Sequence, residues 1–297
     1  MNLVLSSLSE GMLWSIMGIG VYLTFRVLDI ADMTAEGAFP LGGAVVAAQI
    51  QSGTNPWLAT FVAFIMGMIA GLLSGILHTK MKIPALLTGI VTLTGLYSIN
   101  IKVMGGVPNL SIGNNHTVFK SLMQLGLSNE QAVFSLSLIC LLVVCSALTL
   151  LMKTQIGLVL RSTGDNIAMS EANGVHVDNM KMLGYMISNG LIALCGALFA
   201  QNDGFSDVTS GTGTIVVGLS AVIIAEVLVR ELTIGWRLLS IGIGAIVYRL
   251  IILNIYEIPN LDQNLVRLFN AILLAFVLFA PELQNRLRIR GFKLGSK

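Results

Sequence analysis

Charge is scarce in this chain. Aspartate, glutamate, lysine and arginine make up 11% of its 297 residues, whereas soluble domains carry roughly 25%. With 55% hydrophobic residues and a mean hydropathy of +0.85, it reads as an integral membrane protein. The formal charge of +2 is too small to suggest a nucleic-acid partner. Cysteine is nearly absent. Cys140, Cys145 and Cys195 all fall inside apolar runs, as small buried hydrophobes rather than disulfides or metal ligands. His78, His116 and His176 lie in different loops with no metal-ligand spacing. There is no Gly-x4-Gly-Lys-Ser/Thr phosphate loop, no nucleophile elbow and no zinc-protease motif. Energy for any uphill work therefore comes from elsewhere. The N-terminus has no basic stretch before its first apolar run, and Glu10 precedes that run, so no cleaved signal is expected.

What is present is a series of apolar runs. A spanning helix needs about 20 apolar residues, which leaves room for eight or nine spans in a single domain, 1–297. The first is 12–28. A polar break follows, Asp29-Ile-Ala-Asp32-Met-Thr34-Ala-Glu36, and then a short apolar run from Gly37 to Ile50. Fourteen residues are marginal for crossing alone, so a broken or partly re-entrant helix is expected, capped by Asp32 or Thr34. Further spans are expected at 57–77, 84–101, 132–152, 180–200, 214–229, 238–253 and 265–280. Pro84 suits a first helical turn. Residues 102–131 form a long polar connection.

Lysine and arginine set the orientation. With the N-terminus outside and nine crossings, the inner loops hold Arg26, Lys80, Lys82, Lys153, Arg161, Lys181, Arg230 and Arg237. The inner tail adds Arg286, Arg288, Arg290, Lys293 and Lys297. Outer segments hold Lys102, Lys120 and Arg267, while Arg249 lies within a span. The C-terminus and the segment 153–179 are thereby expected in the cytoplasm.

Several constellations invite a role. Gly67, Gly71 and Gly75 recur every fourth residue on one helix face and let another backbone approach. Intrachain packing is the favoured reading and subunit pairing the alternative. Thr88, Thr92, Thr94 and Ser98, with Gly89 and Gly95, make their span polar and small. The hydroxyls either line a passage or bond their own i−4 carbonyls. Glu226 and Arg249 are charges within late spans. Glu226 lies near the inner end and Arg249 nearer the outer end, so no direct pair between them is expected. Glu226 is read as interfacial, next to Arg230. Arg249 either pairs with an acid elsewhere, snorkels outward, or meets a substrate carboxylate. Asp29, Asp32 and Glu36 are read as caps and turns before a cation site.

The stretch Gly157–Val177 is a charged interruption between spans. Asp165, or Thr163 before it, can cap a short helix there. Gly174 can end it in the left-handed conformation. The elements Gly157-Leu158, Arg161, Gly164-x-Asn166, Ala168 and Gly174-Val175-x-Val177 resemble the cytoplasmic coupling loop of ABC importer permeases of the branched-chain amino acid/ribose type. The turn from Asp29 to Gly37 resembles that family's Asp-Leu-Ser-Val-Gly-like turn, with extra acids and Phe39-Pro40 as departures. Residues 83–113 resemble a branch associated with uptake of tryptophan or other aromatic amino acids in Gram-positive bacteria.

The resemblance implies an all-α, polytopic helical bundle in the bacterial plasma membrane, with a cytoplasmic coupling helix. It implies a permease subunit that does no catalysis and moves a small solute by alternating access. The implied partners are cytoplasmic ABC ATPases that bind ATP and magnesium, an extracellular or periplasmic substrate-binding protein, and a second permease copy. Asp165, Asn166, Ala168, Glu171 and Gly174 are the implied docking residues, with Arg161 at the base. Thr88, Thr92, Thr94, Ser98 and Arg249 are the candidates for the translocation pathway. The alternative is an ion-coupled secondary transporter, which calls for inverted repeats and midplane carboxylates.

Overall fold

The computed structural model describes residues 2–256 apart from 114, 125, 127 and 230–232, together with 271–273, 275–277 and 279. Eleven α-helices are described within 2–256. Seven are long and apolar enough to cross a membrane, counted with their flanking turns. They are α1 (Asn2–Tyr22), α3 (Pro56–Thr79), α4 (Ala85–Val103), α6 (Asn129–Lys153), α9 (Val177–Asp203), α10 (Thr214–Leu228) and α11 (Ile234–Tyr256). A π turn, Leu23–Val27, extends α1. The remaining helices are α2 (Ala35–Gln51), α5 (Val118–Met123), α7 (Gln155–Asp165) and α8 (Ile167–Ala172). Most of the expected ninth span, 265–280, lies outside the described residues, as do Arg230, Glu231, Arg267 and the basic tail.

The short helix α2 departs from expectation. It begins at Ala35 and runs unbroken through Pro40 to Gln51, about 26 Å at 1.5 Å per residue. Thr34, at its start, bonds Ser74 near one end of α3. Gln51, at its finish, donates to the Ser111 carbonyl near the opposite end. It therefore runs from one end of the bundle to the other and is not re-entrant; the break is the loop before it. A 17-residue helix suffices because thirteen of its residues are buried, so protein rather than lipid surrounds it. Both α9 and α3 pack along it. Of the two residues expected to cap it, Asp32 is the one that does so. The Asp32 carboxylate, not the Thr34 side chain, takes up a free amide, that of Thr34 itself at 2.9 Å.

The loops gather at two ends. One holds 28–34, 80–84 and 153–176, tied by Lys80–Asp178 at 3.2 Å and by Gly164 against the Val27 carbonyl. The other holds 104–128 and 204–213. There β1 (Asn109–Ser111) pairs antiparallel with β2 (Phe205–Asp207), Leu110 opposite Ser206. The Gln201 side chain accepts the Val118 amide at 3.0 Å, which docks α5.

Candidate functional site

At the first of these ends α7 and α8 project from the bundle. The Thr154 hydroxyl caps α7 by accepting the Gly157 amide. Arg161 reaches back, Nη2 to the Met152 carbonyl at 3.1 Å and Nε to the Gly157 carbonyl at 3.3 Å. It thereby satisfies an open carbonyl at the end of α6 and fixes the corner between the two helices. Leu160 is fully buried and belongs to the core cluster that also holds Tyr22, Leu23, Val27 and Leu148. Gly164 rests directly on the Val27 carbonyl. This places α7 in contact with the π turn that ends α1.

The cap of α8 is Asn166, not Asp165 or Thr163. Asn166 is extended, and its Oδ1 accepts the Met169 amide at 3.0 Å. Asp165 is the last residue of α7, and Thr163 bonds its own i−4 carbonyl, that of Val159. Gly174 has φ +79°, and the Val175 amide returns to the Ser170 carbonyl at 3.1 Å. This is the left-handed ending that glycine adopts without strain. Five of the six α8 residues are exposed, and only Ser170 faces inward. Asp165, Asn166, Ala168, Glu171 and Gly174 thus share one exposed projection, with Arg161 half-buried at its base. Sequence reasoning missed Ile167 and Met169, which are 45% and 63% exposed there. Two apolar side chains in a polar, capped segment were the available signal.

The α3 glycines face α9 of the same chain: Gly67 at Asn189, Gly71 at Tyr185, Gly75 at Met182. The α4 hydroxyls divide. Thr88 and Thr92 are buried, Thr92 donating to the Thr88 carbonyl and receiving Ser74. Thr94 and Ser98 are exposed, Thr94 donating to the Ile90 carbonyl. Thr94 also lines a groove with Glu36, Tyr97 and Thr209.

A polar network crosses the core at the α2 entry. Asn189 donates to Asp32 at 2.7 Å, and Thr34, Ser74 and Thr92 form a hydroxyl chain. Burial pushes the Asp32 carboxyl above its ordinary range, and the bonds from Thr34 and Asn189 oppose that shift. Asp32→Ala would leave the buried Thr34 amide without its acceptor and Asn189 Nδ2 with only the Tyr185 carbonyl. The expected cost is about 2–3 kcal/mol, read as a lowered unfolding midpoint of the purified protein. No cluster of His, Cys, Asp or Glu able to hold a metal occurs among the described residues.

The late-span charges both have partners. Glu226 receives Arg26 in a two-bond contact, 2.8 and 2.5 Å. With Arg26 59% exposed, solvent screening limits the pair to about 1 kcal/mol or less. Arg249 pairs with Glu10, an acid that the sequence reading left outside the first span. Both line a cavity of about 300 Å³ at the end of the bundle opposite α8. Trp14 of α1, Phe39 of α2 and Phe199 of α9 form its inner wall, with centroids 4.8–5.9 Å apart. Asp203, Asp207 and Ser210 lie at its rim.

Residues 3–280 match the family profile described as branched-chain amino acid transport system / permease component. A tyrosine transport system permease protein of Clostridioides difficile (strain R20291) is 37% identical, over all of this chain and 97% of its own length. An uncharacterised protein of Rickettsia prowazekii (strain Madrid E) is 34% identical over 76% of this chain and 78% of its own. An autoinducer 2 import system permease protein of Yersinia enterocolitica (serotype O:8 / biotype 1B, strain NCTC 13174 / 8081) is 29% identical over 88% of this chain and 67% of its own. No solved structure matches.

Proposed function

We infer that this chain, which belongs to the branched-chain amino acid transport system permease family, is the membrane-spanning subunit of an ATP-driven importer of an aromatic amino acid. The observation that carries the coupling role is the α7–α8 projection. It is exposed, capped at both ends and braced on the π turn of α1 through Gly164, with Leu160 buried beside it in the core. The substrate class follows the full-length likeness to the tyrosine permease.

In this reading α8 docks on a cytoplasmic ATPase through Ile167, Ala168, Met169 and Glu171. ATP and magnesium bind to that partner. Closure and opening of the ATPase pair move α8, and α7 passes the displacement to the π turn and the loop leading into α2. Packed contacts of this kind let a local shift bias two arrangements of a bundle. A binding protein delivers substrate at the opposite end. Two copies of this chain meet on two ATPases, one coupling segment for each. The N-terminus is outside and the C-terminus cytoplasmic, which keeps most lysine and arginine inside.

Sidedness has a direct test. Met169→Cys is expected to react with a membrane-impermeant maleimide in inside-out vesicles and not in intact cells. The native cysteines are buried or half-buried within helices. Labelling from outside would reverse the orientation. Function is tested by reconstituting the permease with a cognate ABC ATPase and substrate-binding protein. Tyrosine uptake should then require ATP. Uptake driven by a sodium or proton gradient without the ATPase would establish the secondary-transporter alternative instead.

A further inference from the structure

We propose that the cavity between Arg249 and the Trp14–Phe39–Phe199 cluster binds a free aromatic amino acid as its zwitterion. The assignment rests on the importer reading and names the site within it. Three observations converge there. The cavity, about 300 Å³, is at the small end of ligand sites, suited to a compact solute with one ring system. Its wall is aromatic on three helices. Trp14 and Phe39 are stacked at 5.5 Å with an interplanar angle of 2°, and Phe199 lies tilted against both. A planar side chain entering there meets ring faces and edges, the arrangement aromatic pairs favour.

The polar groups carry the other half of the argument. Arg249 donates through Nη2 to Glu10. Its side chain lines the cavity and is 29% exposed, and Nη1 makes no bond among the described residues. A carboxylate is the acceptor that the planar fork of a guanidinium fits best. Asp203 lines the same cavity as Arg249 and Glu10. One of its oxygens accepts Asn202 at 3.0 Å; the other has no bond among the described residues. Asp207 is already engaged, by the Thr209 amide and hydroxyl at 2.6 Å each. The cavity therefore offers one open cationic donor and one open anionic acceptor beside an aromatic wall. A free amino acid presents the complement: a carboxylate for Arg249, an ammonium for Asp203, a ring for the cluster.

The test uses the full permease assembled with its ATPase in lipid nanodiscs, without binding protein. Radiolabelled L-tyrosine is competed by tyramine, which lacks the carboxylate, and by 3-(4-hydroxyphenyl)propionate, which lacks the amine. Tyrosine should bind at least tenfold more tightly than either analogue. Asp203→Asn should weaken tyrosine at least tenfold and leave the propionate unchanged. Arg249→Gln should weaken tyrosine equally and leave tyramine unchanged. A variant that merely distorts the fold would weaken all three together. Asp203→Asn keeps the Glu10–Arg249 pair, so the test survives if Arg249→Gln fails to assemble. No tyrosine binding by the wild type, or unchanged binding in both variants, overturns the site while ATP-driven uptake by the complete transporter still stands. ATP-driven uptake of leucine but not tyrosine overturns the aromatic assignment. No ATP-driven uptake of any amino acid overturns the importer reading beneath it.

Discussion

Glu171→Arg is expected to reduce ATP-driven uptake at least tenfold, and to prevent co-purification of the ATPase, without moving the unfolding midpoint of the permease. Glu171 is exposed on α8 and its side chain makes no bond among the described residues. Surface substitutions of that kind stay within about 0.5 kcal/mol of the parent. At an interface the same change matters more. Like charges brought together cost several kcal/mol, and each 1.4 kcal/mol is about tenfold in affinity. Gly174→Pro should have the same outcome by another route. Its φ of +79° is closed to proline, fixed near −65°, and the Gly174 amide that bonds the Glu171 carbonyl at 2.9 Å is lost. The α8 ending then unwinds while the bundle stays packed. Wild-type uptake by both variants, with the ATPase still bound, would remove α8 from the coupling path.

The parts of this architecture legible in the sequence are those where lipid is the solvent. Each of α3, α4 and α6 turns much of its surface outward, so an apolar run of sufficient length announces it. The weakness of that signal shows at α2. Its surroundings are protein, its residues are small, and its crossing is shorter than a lipid-facing helix needs. Hydropathy measures preference for lipid and says little about a helix that other helices enclose. The cap of α8 was misplaced by one residue for a tertiary reason. Thr163, Asp165 and Asn166 all carry suitable oxygens. Contact of Gly164 with the Val27 carbonyl holds α7 helical through Asp165, so the extended residue falls at Asn166.

Long-range pairs were out of reach for the same reason. Glu10 and Arg249 are 239 positions apart, and Arg26 and Glu226 are 200 apart. Nothing local in the chain signals either meeting. Trp14, Phe39 and Phe199 likewise sit on three separate helices and become a cluster only when α1, α2 and α9 pack.

Gly196→Val is expected to yield no monodisperse protein, and Gly196→Ala to lower the unfolding midpoint. A Cβ at Gly196 would lie 1.9 Å from the Phe39 carbonyl oxygen; one at Gly42 would lie 1.9 Å from the Ala193 carbonyl oxygen. The two glycines are reciprocal, so the backbones of α2 and α9 touch on both sides of one crossing. Backbone cannot step aside as a flexible side chain can, so even one methyl must push the helices apart. Overpacking of this kind costs about 1–3 kcal/mol, occasionally more, and an interior close-packed on both helices offers no slack. Gly95 is the control. It is exposed on α4 and nothing lies within 4 Å of its added Cβ, so Gly95→Val should leave the midpoint near that of the parent. A wild-type midpoint in Gly196→Val would show that α2 and α9 are not in backbone contact. Phe39 stands three residues before Gly42 and Phe199 three after Gly196, one helical turn in each case. The crossing that a single methyl would spread therefore also sets the distance between two of the three rings. If Gly196→Ala assembles, it should bind tyrosine more weakly than the parent even with Arg249 and Asp203 intact.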